Sequence, residues 1–151
     1  MVCSPKCSYE YVKKQKDKDW KKEKATKKKE LMTLQDWIKI AQVTFNKYIR
    51  LRDAGQPCIS CSKPAKKENA GHYYNANNHW ALRFDEDNVH LQCEYCNTYL
   101  HGNLIPYRDN LISKIGSERY QRLEQLSGNT AKFTIEEVKE ILEIYKAKLK
   151  T

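Results

Sequence analysis

Between Thr33 and Ala54 the large apolar residues recur mostly at three- and four-residue steps: Leu34, Trp37, Ile38, Ala41, Phe45, Tyr48 and Ile49. That period predicts an amphipathic helix with one buried stripe. Thr33 with Asp36 forms a capping-box pattern at its start, and Gly55 and Pro57 stop it. A second stripe, Ile135, Val138, Ile141, Leu142, Tyr145 and Leu149, follows another such box, Thr134 with Glu137. Between the two, Pro106 suits the first turn of a helix that runs through Ile115 and ends at Gly116. A further helix is predicted from Ser117 to Leu126, and Ser127-Gly128-Asn129 breaks the chain after it. Residues 55–103 lack a helical period. They predict two short strands, around Ala70–Tyr74 and Asn88–Gln92, then a helix starting near Cys93 or Glu94.

Residues 1–32 are different in kind. Lys13 to Glu30 contains ten lysines and, apart from Trp20, almost no large apolar residue. Such a segment cannot form a core of its own. Its Lys and Glu content favours a solvated helix, which either lies along nucleic-acid phosphates or is a plain linker. The expected fold is therefore mostly helical α+β: a basic N-terminal arm over 1–32, then a domain over 33–151 whose helices wrap a small central unit.

Charge sharpens this picture. The 151 residues carry 28 Lys and Arg against 19 Asp and Glu, a formal charge of +9 and a pI near 9.2. That surplus points to a polyanionic partner, nucleic acid above all. No apolar run reaches the roughly 18 residues of a membrane span, so no membrane partner is expected. The start, Met1-Val2-Cys3-Ser4-Pro5, lacks the apolar stretch of a secretory signal. The expected location is the cytoplasm, where disulfides are disfavoured, so the six cysteines need another use.

Their spacing supplies one. Cys58-Ile59-Ser60-Cys61 and Cys93-Glu94-Tyr95-Cys96 are two C-x2-C knuckles separated by 31 residues. Facing each other, they present four thiolates to one tetrahedral Zn2+ with no open position, a site that stabilises and does not activate water. A redox pair would instead sit near a βαβ pattern, which is absent. Cys3 and Cys7 form a lone C-x3-C pair, read as a truncated finger in preference to idle thiols.

The stretch between the knuckles holds Ala70-Gly71-His72-Tyr73-Tyr74 and Asp87-Asn88-Val89-His90-Leu91-Gln92-Cys93-Glu94-Tyr95-Cys96-Asn97. It resembles the HNH nucleases of the His-Me finger (ββα-metal) group that carry a four-cysteine zinc. In these a histidine ends the first strand, an asparagine starts the second, and a metal ligand follows the last cysteine. His72, Asn88 and Asn97 match those places. Together with Leu82-Arg83-Phe84, Gly102-Asn103-Leu104-Ile105-Pro106-Tyr107-Arg108, Leu111 to Gly116 and Thr134 to Glu137, the match extends over roughly residues 33–150. That longer match is closer still, and it is to the NinG (Rap) recombination proteins of lambda-like phages. The resemblance implies a structure-specific DNA endonuclease that acts on branched recombination intermediates, Holliday junctions and D-loops, within the bacterial host cell.

The implied chemistry is metal-dependent phosphodiester hydrolysis. His72 would take a proton from water, and Mg2+ or Mn2+ would neutralise the phosphate. Asn97 offers an amide oxygen to that cation. His101, four residues on, would share its face if both lie on one helix. Asn88 would orient His72 through Nδ1 or brace the loop. Many HNH enzymes place Asp immediately before the catalytic histidine, whereas here the residue is Gly71, which puts the metal half-site in question. Lys63, Lys66, Lys67 and Arg83 are expected to contact DNA. His79 and His90 are read as structural, and Tyr73, Tyr74 and Trp80 as core packing in preference to base stacking. Symmetric cutting of two strands makes a homodimer the natural expectation. Two other classes compete: a non-catalytic zinc-stabilised DNA-binding accessory protein, and an RNA-binding zinc protein.

Overall fold

Among the described residues, five α-helices and a two-stranded sheet follow in the order α1 (Pro5–Glu30), α2 (Leu34–Arg52), β1 (Glu68–His72), β2 (Val89–Cys93), α3 (Leu104–Ile115), α4 (Ser117–Ser127) and α5 (Ile135–Lys148). A 3-10 turn at Trp80–Leu82 interrupts the loop between the strands, and a π-helical turn at Tyr95–Tyr99 follows β2. The computed structural model describes residues 5–130 and 132–150. Cys3 lies outside the described residues, and Cys7 is half-buried on α1.

The chain divides into two compact units, Met1–Asp36 and Trp37–Thr151. In the first, α1 is helical as its composition predicts. Lys27 pairs with Glu23 one turn away at 2.8 Å, and Lys24 lies over the Trp20 ring at 4.9 Å. The start of α2 has its reciprocal cap: the Asp36 carboxylate accepts from the Thr33 backbone N–H, and Thr33 Oγ1 accepts from the Asp36 N–H.

In the second unit, the stripe of α2 buries Ile38, Ala41, Phe45 and Ile49. Phe45 meets Phe84 and Tyr145 edge-on, with ring centroids 5.7 and 4.8 Å apart, which brings α5 onto α2. Around the sheet, Ile59, Leu82, Tyr107, Leu111, Tyr120 and Leu123 form one apolar cluster, with Tyr73 and Tyr74 packed against it. Those two partly buried tyrosines thus serve core packing, the use preferred over base stacking in the sequence. The predicted capping box at Thr134 and Glu137 is complete.

The strands pair antiparallel, with Ala70 opposite Leu91 and His72 opposite Val89. Relative to the sequence reading, β1 begins two residues earlier and β2 one residue later. The larger departure follows β2. The predicted helix from Cys93 or Glu94 is a single π turn, in which the Leu100 N–H reaches back five residues to the Tyr95 carbonyl at 3.0 Å. His101, Gly102 and Asn103 then all take positive φ, 50°, 96° and 45°. These values reverse the chain before α3 starts. Left-handed backbone is costly for a residue with a Cβ, so this reversal holds strain of the sort that gathers at functional sites.

The sheet is tied to α2 by a buried polar network. Asp53 accepts from the Leu91 N–H at 2.9 Å and pairs with Arg52 at 2.8 Å. Arg52 donates to the Val89 carbonyl and to His90 Nδ1. His90 Nε2–H donates to the Asp87 carbonyl at 3.1 Å. His90 is therefore structural, and burial holds its pKa below the ordinary value, with the nearby Arg52 and Lys114 charges adding to the effect of burial.

Candidate metal centre and adjoining cleft

The two knuckles meet. The sulfurs of Cys58, Cys61, Cys93 and Cys96 all lie within 4.8 Å of one another. A zinc–sulfur bond of about 2.3 Å implies tetrahedral S···S separations near ~3.8 Å, and Cys61 Sγ to Cys93 Sγ is 3.9 Å. A disulfide would need about 2.05 Å. Second contacts orient the sulfurs: the Cys96 N–H points to Cys93 Sγ and Asn103 Nδ2–H to Cys96 Sγ, each at 3.5 Å. The cluster can hold a metal such as zinc. The Ile59 N–H donates to the Leu91 carbonyl at 3.0 Å, fastening the first knuckle to β2.

Beside this cluster lies a polar cleft of about 430 Å3, lined by Ala70, His72, Asn75, Ala76, Asn77, Asn97, His101 and Gly102. Three residues singled out in the sequence, His72, Asn97 and His101, come together here. The expected reason for the pairing of Asn97 with His101, one face of an α-helix, does not hold. Asn97 sits on the π turn, while His101 is past its end in left-handed backbone and is exposed. The wider turn and the reversal bring both to the same wall. The sequence reading passed over Asn75 and Asn77, although the polar run Asn75-Ala76-Asn77-Asn78 was a visible signal.

His72 is half-buried at the end of β1. Its Nε2 lies 3.0 Å from the Arg83 carbonyl oxygen. A carbonyl only accepts, so Nε2 carries the proton and Nδ1 keeps the lone pair. Burial lowers the pKa of the ring and the Arg83 charge lowers it further, outweighing the carbonyl contact. The imidazole is thus a neutral base at pH 7.

Asn88 does not touch this ring. It is fully buried, accepts from the Tyr74 N–H at 2.7 Å, and donates to the Tyr74 and Leu82 carbonyls. It braces the loop that carries Arg83, the second of the two roles proposed for it, and the orientation of His72 falls to a backbone carbonyl.

The structure also accounts for Gly71. A Cβ there would lie 2.1 Å from Gln92 Oε1. The Gln92 side chain fills that space and donates from Nε2 to Ser60 Oγ and to the Gly102 carbonyl. Its Oε1 is buried with no hydrogen-bond partner among the described residues. Among the described residues, no carboxylate lines the cleft.

The basic residues separate. Arg83, expected at the surface, is only 9% exposed. Its guanidinium donates to Gln42 Oε1 and Asn77 Oδ1 and lies 5.3 Å from the Trp80 ring. It can act on the cleft from below, through Asn77, and is not an open phosphate contact. Lys63, Lys66 and Lys67 are exposed but line a neighbouring cavity on the far side of the π turn. Lys67 pairs there with Glu94. His79 Nδ1–H donates to the Ser127 carbonyl at 2.7 Å, a structural role. No described helix is long and apolar enough to cross a membrane.

No solved structure matches the chain. A family model described as "Bacteriophage Lambda NinG protein" matches residues 1–151. The protein ninG of Escherichia phage lambda is 46% identical over 115 residues, 76% of this chain and 56% of that protein. The proteins ninG of Escherichia phage 933W and Salmonella phage P22 are each 44% identical over 115 residues, again 76% of this chain and 57% and 56% of theirs. The chain thus spans somewhat over half the length of the curated relatives it matches. With a match along all its residues and relatives at this identity, the chain belongs to the NinG family of lambdoid phages.

Proposed function

We propose that this protein is a structure-specific DNA endonuclease of the HNH (His-Me finger) kind, cutting branched recombination intermediates such as Holliday junctions. One observation carries the reading: a neutral imidazole, His72, held by its Nε2–H on the Arg83 carbonyl, lines one polar cleft together with Asn97 and His101. In this reading Zn2+ on Cys58, Cys61, Cys93 and Cys96 locks the knuckles. The sheet and the π turn then present the cleft.

His72 Nδ1 takes a proton from water as the oxygen attacks phosphorus and the bridging P–O bond breaks. Asn97 Oδ1 and the His101 ring are the donors for a divalent cation, Mg2+ or Mn2+. Such a cation supplies charge neutralisation on the phosphate and at the leaving oxygen. The donor set fits a cation that arrives with DNA, because the cleft offers amide oxygens and two imidazoles, one of them the base, but no carboxylate among the described residues. Oxygen ligands from the phosphate complete what Mg2+ requires. Two strands cut symmetrically would call for a homodimer.

A second reading, a zinc-stabilised DNA-binding accessory protein without catalysis, draws support from Gly71 and the Gln92 side chain beside it, which leave no room for an aspartate. Purified zinc-loaded protein incubated with a labelled four-way junction and a linear duplex, with Mg2+, Mn2+ or EDTA, separates the two. The nuclease reading expects junction cutting that needs the cation and falls at least about 100-fold in His72→Ala, the low end for a general base. Junction binding should survive that substitution. Binding without a cation-dependent product favours the accessory protein.

A further inference from the structure

The π turn has two sides. Asn97 and His101 face the His72 cleft, whereas Tyr95 and Leu100 line a second cavity of about 420 Å3, closed on one side by the cysteine cluster and on another by Pro64. Cys61, Cys93 and Cys96 line this cavity, and Pro64, Tyr95 and Leu100 supply the rest of its apolar lining. Apolar surface is left in water here: Tyr95 is 63% and Leu100 41% exposed. The Tyr99 ring lies 6.1 Å from that of Tyr95 at an interplanar angle of 33°. Lys63 and Lys66 stand at the rim, and neither pairs with a carboxylate among the described residues.

We propose that this cavity receives an unpaired nucleobase of DNA, stacked on Tyr95, with the adjoining phosphates on Lys63 and Lys66. The position relative to the cut rests on the nuclease reading of the neighbouring cleft. Aromatic faces stack bases of any sequence, and lysines beside them track the backbone. A second copy of this +9 chain would bring like charge against the lysine rim, so charge complementarity favours the polyanion. A branch point offers unpaired bases and a linear duplex does not. The cavity therefore gives the protein a means of selecting branches on the other side of the π turn from the cleft.

The test reads binding alone. Zinc-loaded full-length protein, without added Mg2+ or Mn2+, is titrated into a fluorescently labelled thymidine oligomer of about ten nucleotides, a length in the usual range for stacking sites. An abasic oligomer of the same length is the control. Tyr95→Ala is expected to lose about ten-fold in affinity for the thymidine oligomer and nothing for the abasic one, while Tyr95→Phe retains both. Lys63→Gln with Lys66→Gln weakens both oligomers. Leu100→Ala, on the same cavity, carries the same expectation should Tyr95→Ala lose its metal. Equal loss on both oligomers, or loss on neither, overturns the proposal. So does a wild-type dimer that Tyr95→Ala dissociates with no base-dependent change, which would mark a self-association face. Absence of junction cutting with Mg2+ strikes only the nuclease reading, because no step of this assay depends on cleavage.

Discussion

His72 was legible in the sequence because the Gly-His pair stands between two metal knuckles. Its partner was not. The ring is held by a main-chain oxygen that any residue at position 83 would supply, so no residue type announces it. The lowered pKa of the ring, caused first by burial, makes a prediction with a definite sign. A general base works unprotonated, so the acid limb of a cutting-rate profile should have its midpoint below the ordinary histidine value of about 6.5. Single-turnover rates between about pH 5 and 8 check this, and a midpoint at or above the ordinary value would contradict it. Gly71 makes a second. The missing aspartate was visible in the sequence, but its cause, the Gln92 side chain at 2.1 Å from the absent Cβ, needs coordinates. Gly71→Ala should cost about 1–3 kcal/mol by overpacking, read from the denaturation midpoint. Gly71→Asp should not create a better metal site.

At the scale of elements, the helices were readable because apolar period and caps agree: Thr33 and Thr134 start α2 and α5 where the capping pattern put them. The π turn was not. Its sequence, Tyr95-Cys96-Asn97-Thr98-Tyr99, carries no local mark of a five-residue repeat. The turn and the reversal after it are tied down by groups outside those five residues: Ser60 and Gln92 both donate to the Gly102 carbonyl, and Asn103 donates to Cys96 Sγ. The pairing of Asn97 with His101 was thus right as a juxtaposition and wrong in its geometry. The loop between the strands depends on Asn88 in the same way. Asn88→Ala should remove three hydrogen bonds and take the partner from both the Tyr74 N–H and its carbonyl, while the Leu82 carbonyl keeps the Asp85 N–H, for a loss of about 3 kcal/mol in a denaturant titration. Cutting should fall with it, because Arg83 lies in the loop it braces. An unchanged stability would show that the loop holds itself.

For the whole molecule, the metal and the fold are linked. The 31 residues between the knuckles contain both strands' pairing, the braced loop and His72. Elemental analysis is expected to find one zinc per chain, and a strong chelator should lower the melting temperature, as binding energy at a structural site is folding energy. Cys58→Ser should behave like the chelated protein. Acid provides a separate lever. His72 and His90 both have native pKa values depressed by burial. Above about pH 6.5 neither state takes up a proton at these rings. As pH falls below that value the unfolded chain binds protons that the native one resists, so stability declines toward the native pKa values. Thermal melts of the metal-loaded protein at pH 7.5 and 5.5 should show that decline, and substituting His90 should change its slope. DNA affinity should fall steeply with salt, given the charge of +9.

The contact between His72 and the Arg83 carbonyl has a consequence for genetics. A library that swaps every side chain in turn will find His72 and will find no orienting partner, because the acceptor is written in the peptide unit and survives every codon change at position 83. Only atom-level chemistry can reach it. Replacing Phe84 by its α-hydroxy acid analogue turns that amide into an ester with a poorer carbonyl acceptor, loosening the imidazole while leaving all twenty genetically encoded side-chain choices untouched.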